Sequence, residues 1–189
     1  MSTVMLAGAT LDDLAKVDGK AELISGRIVL IMPSGALHTR ISKHILRSLD
    51  DFVETLGIGE AFGDSLGYGF DEELPSGRQS LCPDCSCFVG KLPENVQGFI
   101  LGPPTFAVEV HSESDDGRAA ERDMAAKRAD YFAAGTLVVW DVDPVAGTVT
   151  KYAAETPEVP VVFGRGQNAD AEPALLGWRL NLDTVFAVR

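Results

Sequence analysis

The chain has 189 residues, 46% of them hydrophobic and 23% charged, which suits one domain with a packed core and excludes a disordered chain, a collagen-like repeat or a coiled coil. Its formal net charge of -12 argues against passive coating of nucleic acid by a basic surface. An acidic protein can still act on phosphodiesters where a divalent metal supplies local positive charge. No apolar run approaches the roughly 18–20 residues of a membrane span. Met1-Ser-Thr-Val lacks the basic start of a secretory leader. The 3 cysteines crowd between Cys82 and Cys87, which is expected of a reduced, cytoplasmic chain and not of a disulfide framework.

The first nine residues are expected to form a tail, with a single domain over 10–189. Thr10-Leu-Asp-Asp13 has the pattern of a helix capping box and predicts a short helix from about Leu11 to Val17. Glu22-Leu-Ile, the Ser25-Gly26 turn and Arg27 to Ile31 read as a β-hairpin. Leu37 to Leu56 has helical period, with Ile41, Ile45, Leu49, Phe52 and Leu56 on one stripe and His38 turned inward with them. Arg40, Lys43, His44 and Arg47 take the other side, where an Arg47–Asp51 pair suits a solvated face. Gly57 to Phe70 predicts short strands and turns. Leu81 to Val89 and Thr105 to Val110 read as strands, and Gly117 to Ala134 as a second helix closed by Gly135. Strands are expected again at Thr136 to Val142, Thr148 to Tyr152 and Val159 to Phe163, and Leu175 to Phe186 closes the core. This order of elements predicts an α/β (α+β) fold, a mixed sheet flanked by helices.

Carboxylates at the ends of predicted strands are the sharpest chemical feature. Asp84 follows Pro83 at the head of one strand, and Glu109 is the only charge in the apolar run Phe106-Ala-Val-Glu-Val110. If those strands are neighbours, the two acids stand about 5 Å apart. A lone buried carboxylate is costly, and two sharing a site repel each other; Mg²⁺ (or Mn²⁺) relieves both. Glu22 offers a third oxygen ligand. Lys127, on the flank of the helical stripe of Ala120, Met124 and Tyr131, can orient a water or stabilise phosphate charge. Cys82-x-x-Cys85 has the spacing of a zinc knuckle, but no second pair exists, and Cys85 and Cys87 share a strand face that suits core filling.

Pro83-Asp84 and Glu109-Val110-His111 resemble the two elements of the PD-(D/E)XK nuclease superfamily. The longer series is Glu22-Leu-Ile-Ser-Gly-Arg-Ile-Val, His38, Pro83-Asp84, Val108-Glu-Val, Lys127-Arg-Ala-Asp-Tyr131, Ala134-Gly135 and Trp140-Asp-Val-Asp-Pro144. In that order it resembles the Uma-type restriction endonuclease family over about Thr10 to Phe186. The resemblance implies a restriction-endonuclease-like fold and a homodimer. It also implies a metal site at Asp84 and Glu109 with Glu22 nearby, and a catalytic lysine moved from strand to helix, here Lys127. His111 stands where the family carries an apolar residue and the wider superfamily a lysine, and Ser112-Glu-Ser114 replaces the family's Ser-Pro-Ser/Thr turn. His38 and His111 are then candidates for substrate binding. The expected function is Mg²⁺-dependent hydrolysis of DNA phosphodiester bonds. The alternative is a catalytically degenerate dimeric binding or assembly protein on the same fold, and a small zinc-stabilised domain comes third.

Overall fold

The computed structural model describes residues 4–92, 98–112 and 117–187. Its elements in chain order are β1 (Val4–Ala7), α1 (Leu11–Leu14), β2 (Ala21–Ile24), β3 (Arg27–Leu30), α2 (Ala36–Leu56), β4 (Gly59–Gly63), β5 (Tyr68–Gly69), β6 (Ser80–Leu81), β7 (Cys85–Val89) and β8 (Ile100–Leu101). There follow β9 (Phe106–Val110), α3 (Arg118–Ala134), β10 (Val138–Asp143), β11 (Thr148–Ala153), β12 (Val161–Phe163), β13 (Asn168–Ala171), β14 (Leu175–Asn181) and α4 (Leu182–Val185). The main sheet is six-stranded and mixed, in the order β12-β11-β10-β9-β7-β4. Only the β9–β10 pair in it is parallel, joined through α3, because a parallel pair needs a long crossover.

Side-chain alternation along the central strands sorts the two faces of this sheet. Phe106, Val108 and Val110 of β9, with Val138, Trp140 and Val142 of β10, pack in one core with Ile41, Ile45, Leu49 and Val53 of α2. Trp140 and Trp178 stack at 5.1 Å between ring centres, and Phe106 meets Trp140 edge-on at 5.1 Å. The opposite face carries Ala107, Glu109, Val139 and Asp141, and α3 covers it, with Tyr131 packed beside Ala107 and Val139.

The helices and hairpin fall where the sequence places them, with informative differences. Thr10 and Asp13 form the reciprocal capping box. The buried stripe of α2 runs His38, Ile41, Ile45, Leu49, Val53, whereas Leu56 is 54% exposed and Phe52 only partly covered. Stepping by four keeps Val53 over the sheet; Leu56 lies in the last turn, just before Gly57 ends the helix in a left-handed conformation (φ 61°). Arg47 and Asp51 form no ion pair among the described residues. Val4–Ala7, read as part of a tail, pairs antiparallel with β3. The strand expected from Leu81 to Val89 is interrupted: proline has no N–H to give a ladder, and β6 and β7 lie on either side of Pro83. The corner between them carries Asp84.

Candidate active site

Strands β7 and β9 run antiparallel with Cys85 opposite Val108, and the Asp84 N–H donates to the Val108 carbonyl at 3.0 Å. One step further along this register Asp84 stands opposite Glu109. The two acids expected on neighbouring strands are therefore neighbours. Asp84 is 7% exposed. Its Oδ2 accepts from the Val110 N–H at 2.8 Å and lies 3.0 Å from His38 Nε2, while Oδ1 is 3.0 Å from Lys20 Nζ. Burial alone would raise this carboxyl. The His38 hydrogen bond and the Lys20 charge outweigh it and hold Asp84 well below the usual carboxylate range. In return, Asp84 raises His38 against the effect of burial.

Glu109 is equally buried. Its Oε1 accepts from the Tyr131 hydroxyl at 2.6 Å and lies 2.8 Å from Lys127 Nζ. Burial lifts its carboxyl from 4.5 to about 6; Lys127 opposes the rise and the neighbouring Asp84 adds to it. Lys127 also reaches Glu22, 3.1 Å from Oε1. Burial would lower its ammonium pKa, but Glu109 and Glu22 drive it well above the ordinary lysine range. Lys127 thus stays a cation, clamped between carboxylates from two different sheets.

Glu22 is held from three sides. Its Oε1 accepts from the Cys82 N–H at 3.0 Å in addition to meeting Lys127, and its Oε2 accepts from Arg78 Nε at 3.4 Å. Burial would raise it; Lys127 and Arg78 keep it below its ordinary value. Arg78 is itself buried and extends the network to Asp123 at 2.8 Å and to the fully buried Asp130 at 3.4 Å. Asp130 also accepts a short hydrogen bond from the Ser76 hydroxyl.

Lys20, Glu22, His38, Asp84, Glu109 and Lys127 line one cavity of about 310 Å³. A larger hollow of about 510 Å³ lies elsewhere, bordered by Asp71, Glu72 and Glu73 and by no lysine or arginine, so nothing there attracts a phosphate. His111 is not among the residues lining the smaller cavity. It sits at the end of β9 on the side of Asp141, whose charge interacts with it. Asp141 is opposite Glu109 on β10, bonds Arg128 through Oδ2, and is lifted by burial to about 6 against Arg128 and His111. His111 Nε2 and Asp141 Oδ1 are buried without a hydrogen-bond partner among the described residues. Of the turn after it, Ser112-Glu-Ser114, residues 113 and 114 lie outside the described residues.

The cysteines are core residues. Cys82 donates to the Ala21 carbonyl at 3.4 Å and Cys85 to the Ser42 carbonyl at 3.2 Å. Burial pushes the thiols of Cys82 and Cys87 up to about 12. No three His, Cys, Asp or Glu side chains converge as a metal cage among the described residues. The zinc alternative therefore finds no support in the geometry.

The family model described as "Putative restriction endonuclease" (Uma2) matches residues 9–183. The chain belongs to the Uma2 family. The fold agrees: a solved structure titled as a putative nuclease belonging to DUF820 from Anabaena variabilis ATCC 29413 superposes with a TM-score of 0.70 at 23% identity, covering 94% of this chain and 97% of that one. No curated protein sequence matches this chain significantly. No helix among the described residues is long and apolar enough to cross a membrane.

In this Uma2 chain the residues singled out from sequence divide clearly. Asp84, Glu109, Lys127, Glu22 and His38 share one cavity, and His111 stands apart from it. Lys20, Arg78 and Tyr131 are members of the site that the sequence reading misses. Period two along a strand pairs Lys20 with Glu22 on one side, a signal that is present in the sequence. Arg78 follows the turn at Ser76-Gly77 with no pattern to mark it, and Tyr131 reads simply as an apolar helix residue.

Proposed function

We propose that this Uma2 protein is a divalent-metal-dependent endonuclease that hydrolyses DNA phosphodiester bonds. The observation that carries the reading is the meeting of Asp84 and Glu109, from adjacent strands, with the Lys127 cation in one charged cavity. The donor set fits a hard cation. The side chains are carboxylates, and burial lifts Glu109 to about 6 despite the Lys127 charge beside it, a penalty that a bound cation would relieve. Two carboxylates with waters and phosphate oxygens completing the shell suit Mg²⁺ or Mn²⁺, which seldom take an all-protein cage.

Asp84 and Glu109 would hold that ion. When bound, such an ion supplies a water of lowered pKa and positive charge against the phosphate. The protein's own groups do the rest. His38 and the Val110 N–H fix Asp84 Oδ2, and Lys20 meets Oδ1. Tyr131 fixes Glu109 from the α3 side. Lys127, permanently charged, orients the attacking water or stabilises charge on the phosphoryl oxygens. Glu22 acts through Lys127: its Oε1 meets that ammonium and its Oε2 meets the buried Arg78, so we assign it the positioning of the ammonium.

The test is incubation of supercoiled, linear and single-stranded DNA with Mg²⁺ or Mn²⁺. Cleavage is expected, and Asp84→Ala should lower it at least a hundredfold while the protein remains folded by circular dichroism. Cleavage undiminished in Asp84→Ala removes the assignment. The second reading, a binding or assembly protein on the same fold, is favoured by the ion pairs already closing on each carboxylate; absence of both cleavage and Mn²⁺ binding would establish it in place of the first.

A further inference from the structure

We propose that Lys20 is the resident counter-ion of the metal position: its ammonium occupies Asp84 Oδ1 while the ion is absent and passes to the substrate phosphate when the ion binds. This rests on the reading of Asp84 and Glu109 as the ion's ligands. The two oxygens of Asp84 are engaged differently. Oδ2 is held by His38 Nε2 and by the Val110 N–H at 3.0 and 2.8 Å. Oδ1 is the oxygen left for an ion, and Lys20 Nζ holds it at 3.0 Å. A cation arriving at Asp84 Oδ1 therefore meets the Lys20 ammonium there, and the two like charges compete for that oxygen.

Lys20 also feels the charge of Glu109, the other carboxylate of the pair, and is repelled by Lys127. Its ammonium thus lies in the field of both proposed ligands, in the same cavity. The two lysines differ in how they are held. Lys127 is clamped by Glu22 and Glu109 and its side chain is 11% exposed; Lys20 has one carboxylate partner among the described residues and is 20% exposed. Lys20 approaches from the residue just before β2, with its carbonyl fixed by the Ile31 N–H at 2.9 Å, so the backbone is anchored and the four-carbon stem is what can swing. A freed ammonium at the mouth of the cavity faces the phosphate that the substrate brings. Two unlike events, metal entry and phosphate capture, would then be coupled through one side chain.

Titration calorimetry with Mn²⁺ on the full chain tests this, using wild type, Lys20→Met, Lys20→Arg and, as a remote control, Lys16→Met, whose ammonium pairs only with Asp13 at 3.6 Å. Lys20→Met is expected to bind Mn²⁺ about tenfold or more tightly than wild type, because a competing cation is gone. Lys20→Arg keeps the charge and should bind no more tightly than wild type, and Lys16→Met should match wild type. In steady-state cleavage at saturating Mn²⁺, Lys20→Met should raise KM for DNA severalfold. Equal or weaker Mn²⁺ binding by Lys20→Met overturns the counter-ion role while leaving the metal reading standing. Equal gains in Lys20→Met and Lys20→Arg would also overturn it, since packing and not charge would then be responsible. No Mn²⁺ binding by any of the proteins overturns the metal reading itself.

Discussion

Lys127→Met is expected to destabilise the metal-free protein by about 3–5 kcal/mol, the usual cost of breaking a buried ion pair from one side. The reason is geometric. The ammonium lies 2.8 Å from Glu109 and 3.1 Å from Glu22, and both acids are buried. Methionine fills similar volume but leaves two carboxylates facing each other. Arg78 and the Cys82 N–H still hold Glu22, so the loss should fall mainly on Glu109, whose pKa should rise further. Urea denaturation in EDTA measures the stability change. A loss under about 1 kcal/mol would show that the Lys127 pairs are too hydrated to organise the cavity. Cleavage should fall with it, and a variant folded below its midpoint yet fully active would remove Lys127 from the chemistry.

Glu109→Gln should move in the opposite direction on stability while still abolishing cleavage. Burial raises Glu109 from 4.5 to about 6, so the folded protein binds this proton more tightly than the unfolded chain does. Its contribution is fully present below about pH 4.5 and is lost as pH rises through about 6. Glutamine cannot ionise and should escape that burial penalty, so Glu109→Gln should be more stable than wild type at pH 7 in EDTA, with the difference vanishing near pH 4. His38, raised by Asp84, contributes in a separate window: its share is lost as pH climbs through a folded pKa above the ordinary 6.5, and comparison with Glu109→Gln cancels it. Denaturation midpoints at several pH values decide the matter. A variant less stable than wild type at pH 7 would mean that the Lys127 pair outweighs the burial of the charge. A proposed metal ligand kept at a cost to the empty protein is what a site shaped for function and not for stability should display.

The architecture is largely legible in the sequence because its signals are periodic. The two faces of β9 and β10 can be read from alternation in Phe106-Ala-Val-Glu-Val110, and α2 from residues spaced three and four apart. The interruption at Pro83 is not read, because the apolar run from Leu81 to Val89 predicts a strand straight through it. Asp84 and Glu109 stand out as acids misplaced on apolar strands, and misplacement is itself a signal of chemistry. Lys127 is harder to find. The sequence places it on the flank of a stripe of Ala120, Met124 and Tyr131, whereas the described residues that α3 buries are Lys127, Asp130 and Tyr131, so the apolar pattern marks the inward face only loosely. Lys20 and Arg78 belong to the site through contacts across 64 and 56 residues, which no local pattern encodes. The family resemblance makes His111 a candidate for substrate contact; in the structure it lies beside Asp141 and is not among the described residues that line the cavity.

The most direct measurement is a crystal structure of the protein soaked in Mn²⁺, with the ion located by its anomalous scattering. One peak is expected at about 2.1 Å from Asp84 Oδ1 and from a Glu109 oxygen, with Lys20 drawn away from Asp84 and Lys127 still bridging Glu22 and Glu109. A peak elsewhere, or none while Lys20 remains on Asp84 at millimolar Mn²⁺, would contradict the assignment of these two acids as the ion's ligands.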